Sequence, residues 1–345
     1  MPVPPTASQA PEQLWPAQSP VETSADTLRA LARHMLVART LDVEAVRWQR
    51  QGILPAFPPA IGQEAAQVGS AFALDKTRDM AFITYRDHGV IAALESDLTD
   101  YMGSHLALWN GGFADPNKAR HTPLQAVVGS TGIQAMGWAY AQKLEGSGGA
   151  ALAYLGDGAS SQGDVHEAFN FASVMRAPVV FFVQNNQWSL STPLHLQVAG
   201  GSIADRAAGY AMPSIKVDGD DVAEVFQATG VALDYARENG PVVMEAFTYR
   251  RGPHATSDDP SRYRTLEEER MLGPDPLDRV KDAIADSEWW QQAEVEAEKT
   301  LGAVREGMTR PRYVHGDEMF DFVFQEKTPQ IAAQQQQWRE ETDRD

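Results

Sequence analysis

Two short polar clusters close two apolar runs: Gly156-Asp157-Gly158 after "ALAYL", and Asn185-Asn186 after "VVFFVQ". One carboxylate, one amide oxygen and a nearby main-chain carbonyl are hard oxygen ligands. They suit Mg2+ or Ca2+, with phosphate oxygens and water completing the shell. Gly158 and Ala159 carry little or no side chain, so phosphate oxygens can approach their N–H groups. A helix beginning after them would add its positive end. Each cluster alone has a simpler explanation, because Gly-Asp-Gly makes tight turns and Asn-Asn tolerates left-handed backbone. Joint placement at neighbouring strand ends is what points to an ion and a phosphate.

That placement depends on the elements around the clusters. Ala150–Leu155, Val179–Gln184, Ile215–Val217 and Val242–Thr248 are short apolar runs with β-branched or aromatic residues, and helical patterns near 164–176 and 222–238 alternate with them. Such alternation predicts a mostly parallel sheet covered by helices, and ligands of such sheets sit beyond the carboxyl ends of the strands. From Asp157 to Asn186 is 186 − 157 = 29 positions, the length of a strand end, a crossover helix and a return strand. Ser24 is a predicted N-cap, and the Leu28, Leu31, Met35 and Ala38 stripe continues towards Gly52. A second helix follows "IGQEAAQVGSAFAL", and Ala81–Tyr85 reads as a short strand. The Gly/Pro-rich stretch 111–132 reads as a long loop, and a helix over Ile133–Leu144 follows it. Beyond Pro260 the chain turns charged and helical to Val304, and the tail is polar.

The bulk properties narrow the classes. The 345 residues carry 29 basic and 47 acidic side chains, a net charge of −18, with no Lys/Arg run of five or more. Nucleic acid and anionic membranes are therefore not expected as partners. With no Cys, a disulfide framework, a thiolate zinc site and a Cys nucleophile are excluded. No apolar run approaches a membrane span, and the first 20 residues lack the basic start and apolar core of a signal peptide. A cytoplasmic protein is the expectation. A dinucleotide fingerprint would need Gly at 161, which is Ser161, and no Walker Gly-Lys-Ser/Thr occurs.

The stretch "GDGASSQGDVHEAFNFA…VQNNQWSLSTP" closely resembles the thiamin diphosphate motif of the alpha subunits of 2-oxo acid dehydrogenases. These are the decarboxylating components of the pyruvate and branched-chain complexes. "GQEAAQVG" (62–69), "TYRDHG" (84–89) and "RRGPHATSDDPSRYR" (250–264) resemble the same family in order and spacing, and the likeness covers roughly residues 25–325. It implies a thiamin diphosphate-binding α/β fold and an Mg2+ held by Asp157, Asn186 and the main-chain carbonyl of Trp188. The family usually has Tyr at the last position, which does not matter for a backbone ligand.

The resemblance also assigns other residues. Tyr85 and Arg86 match the pair that contacts the diphosphate, a role the forked guanidinium suits. Gly156, Gly158, Ala159 and Gln184 fall among the cofactor-binding positions. Val128, in "AVVGSTG", falls where the family contacts the aminopyrimidine ring. The Gln-Val-Pro or potassium-binding Ser-Pro-Leu often found there is not intact. His254 matches the His of the catalytic loop, and a neutral imidazole there can shuttle protons or donate to phosphate. Ala255 stands where mitochondrial relatives have a phosphorylated Ser, so that switch cannot operate. His88 and His166 read as a loop residue and a helix-face residue.

The expected organisation is a flexible Pro-rich arm (1–24), a diphosphate-type α/β domain (25–265) and a helical extension with a polar tail (266–345). The chain is too short for a second complete sheet domain. The resemblance therefore implies a beta subunit that supplies a Glu beside the aminopyrimidine ring, in an assembly of two alpha and two beta chains. It further implies a small 2-oxo acid substrate and a lipoyl-bearing acyltransferase that takes the acyl fragment. The first expectation is a branched-chain 2-oxo acid dehydrogenase alpha subunit. Pyruvate or acetoin dehydrogenase, a non-catalytic cofactor-binding subunit and a nucleotide-dependent oxidoreductase are the alternatives.

Overall fold

The computed structural model describes residues 14–15, 23–106, 115–310 and 316–342. The chain divides into two compact units, Met1–Arg305 and Glu306–Asp345. In the first, Ser24 Oγ accepts the Thr27 N–H and starts α1, Ala25–Arg50. Next come α2 (Glu64–Phe72), β1 (Met80–Phe82), α3 (His88–Ala93), α4 (Leu98–His105), α5 (Pro116–Ala119) and α6 (Ser130–Glu145). The central part runs β2 (Ala151–Gly156), α7 (Gly163–Met175), β3 (Val179–Asn185), then β4 (Trp188–Ser189) and β5 (Thr192–Pro193). It closes with β6 (Ser214–Asp218), α8 (Val222–Asn239) and β7 (Val242–Phe247). The rest is helical: α9 (Leu266–Arg270), α10 (Pro276–Ile284), α11 (Ser287–Thr309) and α12 (Pro329–Thr342).

Five strands form one sheet in the order β1-β2-β3-β7-β6, and every pairing in it is parallel. The strands read as continuous apolar runs because both faces are covered. On one face Ala153, Leu155, Phe181 and Val183 pack with Ala135 and Ala139 of α6 and with Val165, Ala168 and Phe169 of α7. On the other, Tyr154 reaches α2, its hydroxyl 2.9 Å from Ser70 Oγ. Alternate side chains of a strand point to opposite faces, so one short strand serves both layers. Gly156 of β2 pairs with Gln184 of β3. The polar residues after each strand therefore emerge side by side at one sheet edge.

Several expectations need correction. The strand expected at Ala81–Tyr85 leaves the sheet after Phe82, because the Asp87 carboxylate turns the chain by accepting from Thr84 N (2.6 Å) and Thr84 Oγ1 (2.7 Å). The loop expected over 111–132 contains the short helix α5 and touches the sheet edge at Ala81–His121 and Thr84–Gln125; residues 111–114 lie outside the described residues. The charged stretch after Pro260 is helical, as expected, in separate helices. It breaks around Gly273-Pro274 and at Ala285, which takes left-handed backbone. The arm 1–24 falls largely outside the described residues. Within it Trp15 is buried, because a single indole has enough apolar area to bury even in a Pro-rich segment. His88 is not a loop residue but the fully buried first residue of α3, its Nε2 2.8 Å from Asp42 Oδ1 and off the line of a hydrogen bond. His166 lies on α7, with Nδ1 2.6 Å from the Tyr210 hydroxyl.

In the second unit Asp317 accepts from Arg339 Nε (2.7 Å) and Gln335 Nε2 (2.9 Å), tying α12 to the turn Gly316–Phe320. No helix among the described residues is long and apolar enough to cross a membrane.

Candidate functional site

At the carboxyl edge of β2 and β3 lies a cavity of about 260 Å3. Its wall carries every residue that the resemblance placed at the cofactor or the cation: Tyr85, Arg86, Val128, Gly156, Asp157, Gly158, Ala159, Gln184, Asn186, Trp188 and His254. Five separate segments supply them, namely the turn after β1, the turn before α6, the end of β2, the end of β3 with the β4 turn, and the loop after β7.

Among the described residues Asp157 is the one acid on the wall. Its side chain is buried, and its Oδ2 has no hydrogen-bond partner. Burial pushes the carboxyl up to about 6, against hydrogen bonds from its own backbone and the pull of Arg250. A buried carboxylate oxygen without a donor is costly unless a cation meets it. Beside it, Asn186 donates through Nδ2 to Gln63 Oε1 at 2.9 Å, which turns its Oδ1 the other way; that oxygen accepts only a long 3.3 Å bond from Trp188 N. The Trp188 carbonyl accepts one bond, 3.2 Å from Arg250 Nη1, and so keeps a lone pair. A carboxylate, an amide oxygen and a carbonyl, each with spare acceptor capacity, fit a small hard cation.

The opposite wall is cationic. Arg86 Nη1 donates to Pro59 O, and its Nη2 lies 3.2 Å from His254 Nδ1 and donates to His254 O at 2.9 Å. Arg250 is fully buried and donates to Leu190 O (2.7 Å) and the Tyr263 hydroxyl (3.0 Å). Arg264 donates to Arg250 O at 2.7 Å, and its guanidinium lies over the Trp188, Tyr249 and Tyr263 rings. No ion pair among the described residues engages these three, whereas Arg39 is paired with Glu64 and Asp275. In a chain of net charge −18, buried guanidiniums left without carboxylates are suited to an anionic ligand. Burial, and after it Arg264, pulls Arg250 down to about 10, so it stays charged at neutral pH.

His254 is held by its own N–H, which donates to Asp258 Oδ2 at 2.8 Å, while Asp258 also accepts from the Tyr263 hydroxyl. Burial first, then Arg86 and Arg250, lowers its pKa to about 4. The ring is therefore neutral at pH 7. Guanidinium N–H groups face Nδ1, which makes it the acceptor and leaves the proton on Nε2.

Gln184 faces the cavity, but its amide is engaged within the protein. Nε2 donates to Asp87 Oδ1 (2.7 Å) and Oε1 accepts from Gln67 (3.0 Å). Between Asp157 and α7 a 3-10 turn, Gly158–Ser161, intervenes. The expected helix end thus begins only at Gly163, and the N–H groups next to Asp157 are those of the turn. Val128 is half-exposed on the rim beside Val127. A Cβ on Gly158 would run into the Ser189 side chain, so only Gly fits this approach of the two turns.

The sequence reading missed Gln63, Gln125, Ser189, Leu190 and Arg250. Gln63 and Arg250 sit inside the quoted motifs, and an Arg at a strand end with no acid nearby in sequence was the available signal for Arg250.

The family profile described as Dehydrogenase E1 component matches residues 32–306. The chain belongs to the dehydrogenase E1 component family. It is 41% identical over 323 residues to the 3-methyl-2-oxobutanoate dehydrogenase subunit alpha of Mycobacterium tuberculosis, covering 92% of this chain and 88% of that one. It is 34% identical to the mitochondrial 2-oxoisovalerate dehydrogenase subunit alpha of Homo sapiens, covering 89% and 72%. It is 33% identical to the pyruvate dehydrogenase E1 component subunit alpha of Acholeplasma laidlawii, covering 90% and 92%. Among dehydrogenase E1 components the chain is of the 2-oxo acid dehydrogenase alpha-subunit type, and the class of enzyme is an oxidoreductase.

Proposed function

We propose that the chain is the diphosphate-binding alpha subunit of a branched-chain 2-oxo acid dehydrogenase, acting on 3-methyl-2-oxobutanoate or a close homologue. The observation that carries the reading is the pairing, in one cavity, of the orphaned Asp157 Oδ2 with Arg86 and Arg250, which have no carboxylate. A magnesium diphosphate needs this division of labour. Asp157, Asn186 Oδ1 and the Trp188 carbonyl would hold the cation. Arg86, Tyr85 and the Gly158 and Ala159 N–H groups would hold the diphosphate, and Val128 would contact the cofactor ring.

Thiamin diphosphate supplies the carbon nucleophile that releases CO2 from a 2-oxo acid. The chain's own residues bind it, orient it and exclude water. Neutral His254 carries a donatable proton on Nε2 and sits with Arg86 on the diphosphate side. Among the described residues no acid other than Asp157 lines the cavity, which supports a carboxylate from another chain as the group that exchanges protons with the cofactor ring. A beta subunit, in an assembly of two alpha and two beta chains, fits that requirement. A lipoyl-bearing acyltransferase is the acceptor of the acyl group.

The test is titration calorimetry of the chain with its beta partner against thiamin diphosphate plus Mg2+, followed by turnover of 3-methyl-2-oxobutanoate and of pyruvate. Preference for 3-methyl-2-oxobutanoate supports the branched-chain assignment, and preference for pyruvate replaces it with the function named for the Acholeplasma laidlawii relative.

A further inference from the structure

Glu245 lies in the middle of β7 with its side chain fully buried, and no ion pair engages it among the described residues. Its neighbours along β7 are apolar, and Lys216, opposite it on β6, places its ammonium on Asp205 at 2.6 Å. A buried carboxylate without a cation persists only where donors hold it. Three do: Asn185 Nδ2 donates to Oε1 at 2.7 Å, and Ser202 Oγ (2.6 Å) and Ala204 N (2.8 Å) donate to Oε2.

This contact fixes more than the carboxylate. Glu245 has only acceptors to offer, so the Asn185 amide must face it with nitrogen. The Asn185 Oδ1 is thereby aimed the other way, where it accepts from Gln187 N (3.2 Å) and Gln187 Nε2 (3.1 Å). Gln187 takes left-handed backbone, with φ of 71°. The chain bends sharply there, and the residues on either side of the bend are Asn186 and Trp188, whose oxygens stand beside Asp157. Neither Glu245 nor Asn185 lines the cavity.

We propose that Glu245 is a positioning residue for the cation site. Through the Asn185 amide it sets the turn that presents Asn186 Oδ1 and the Trp188 carbonyl towards Asp157. The inference rests on the reading of the cavity as a magnesium diphosphate site. Groups one step behind metal ligands typically change metal affinity by about 10- to 100-fold when removed.

The test is calorimetry of the full chain with its beta partner, titrating Mg2+ in the presence of thiamin diphosphate. Glu245→Gln puts an amide N–H against the Asn185 N–H groups and should raise the Mg2+ concentration for half-saturation about tenfold or more. The double variant Glu245→Gln/Asn185→Asp reverses the bond. The new amide on β7 then donates to the new carboxylate on β3, which still accepts from Gln187, and Mg2+ dependence should return to within about threefold of the wild type. Should Glu245→Gln not fold, Asn185→Ala, which leaves Glu245 its bonds to Ser202 and Ala204, is read in its place and should show the same loss. A merely structural role would lower Tm and leave the Mg2+ dependence alone. Unchanged Mg2+ dependence in the folded single variant, or a double variant no better than the single, overturns the inference. Absence of Mg2+-dependent binding in the wild type overturns the functional reading, and this inference with it.

Discussion

Arg86 reaches His254 twice, with its Nη2 3.2 Å from the ring Nδ1 and donating to the main-chain carbonyl at 2.9 Å. This one guanidinium fastens the loop after β7 to the turn after β1. After burial it also does most to keep the imidazole neutral, because a cation against Nδ1 disfavours a second proton.

The pH dependence of stability follows. In the unfolded chain His254 takes a proton near its ordinary value, whereas in the folded chain burial, Arg86 and Arg250 delay this to about 4. Between those values the unfolded state binds more protons, so stability falls as pH falls through the window. Tm of the wild type should therefore drop further between pH 7 and 4.5 than Tm of His254→Gln. Parallel Tm curves for the two would show that the ring is not held neutral.

Arg86→Ala should weaken cofactor binding in the assembled enzyme. A hydrogen bond to a charged group is worth about 1.5–3 kcal/mol, or roughly 10- to 150-fold in Kd. Arg86→Lys should recover only part, because a lysine cannot fork between His254, Pro59 and a phosphate oxygen. Equilibrium titration of the three proteins measures this, and equal affinities would remove Arg86 from the site.

Gly158→Ala should both destabilise the chain and weaken cofactor binding. The added methyl meets Ser189 Oγ and also its Cβ at 2.8 Å, an overpacking worth about 1–3 kcal/mol. Ser189→Gly removes both atoms and should recover most of the loss when combined with it. A double variant as poor as Gly158→Ala alone would show that the contact with Ser189 is not the cause.

Much of this site was legible from the sequence because it hangs on strand ends. The β2 and β3 runs are continuous and apolar, the intervening helix has ordinary length, and the register that sets Asp157 beside Asn186 follows from those two facts. The turn at Thr84 was not legible, because a side chain three residues on, Asp87, ends the strand early. Arg250 escaped notice because its worth lies in partners far along the chain, Leu190 and Trp188, which only the tertiary fold brings to it. Glu245 did leave a trace, a single acid inside "VVMEAFT", but its partner Asn185 lies on β3, and the order of the runs along the chain does not set β7 beside β3.

The isolated chain should bind cofactor poorly and turn over no 2-oxo acid. Among the described residues its cavity carries no acid besides Asp157, and proton transfer needs a group within hydrogen-bond reach. Adding the beta subunit should restore decarboxylation with an artificial electron acceptor. Full turnover by the chain alone would overturn the shared-site reading.

The most direct measurement is Mg2+-dependent binding of thiamin diphosphate to the assembled wild type and to Asp157→Ala. The carboxylate is the only charged ligand that the described residues offer the cation, and its removal leaves Asn186 Oδ1 and one carbonyl, too little to hold a hard ion. Asp157→Ala should fold, with Tm close to or above that of the wild type, since an orphaned buried oxygen is removed. Its cofactor affinity should no longer respond to Mg2+. A Mg2+ response and a Kd equal to those of the wild type would contradict the assignment of Asp157 and, with it, the magnesium diphosphate site.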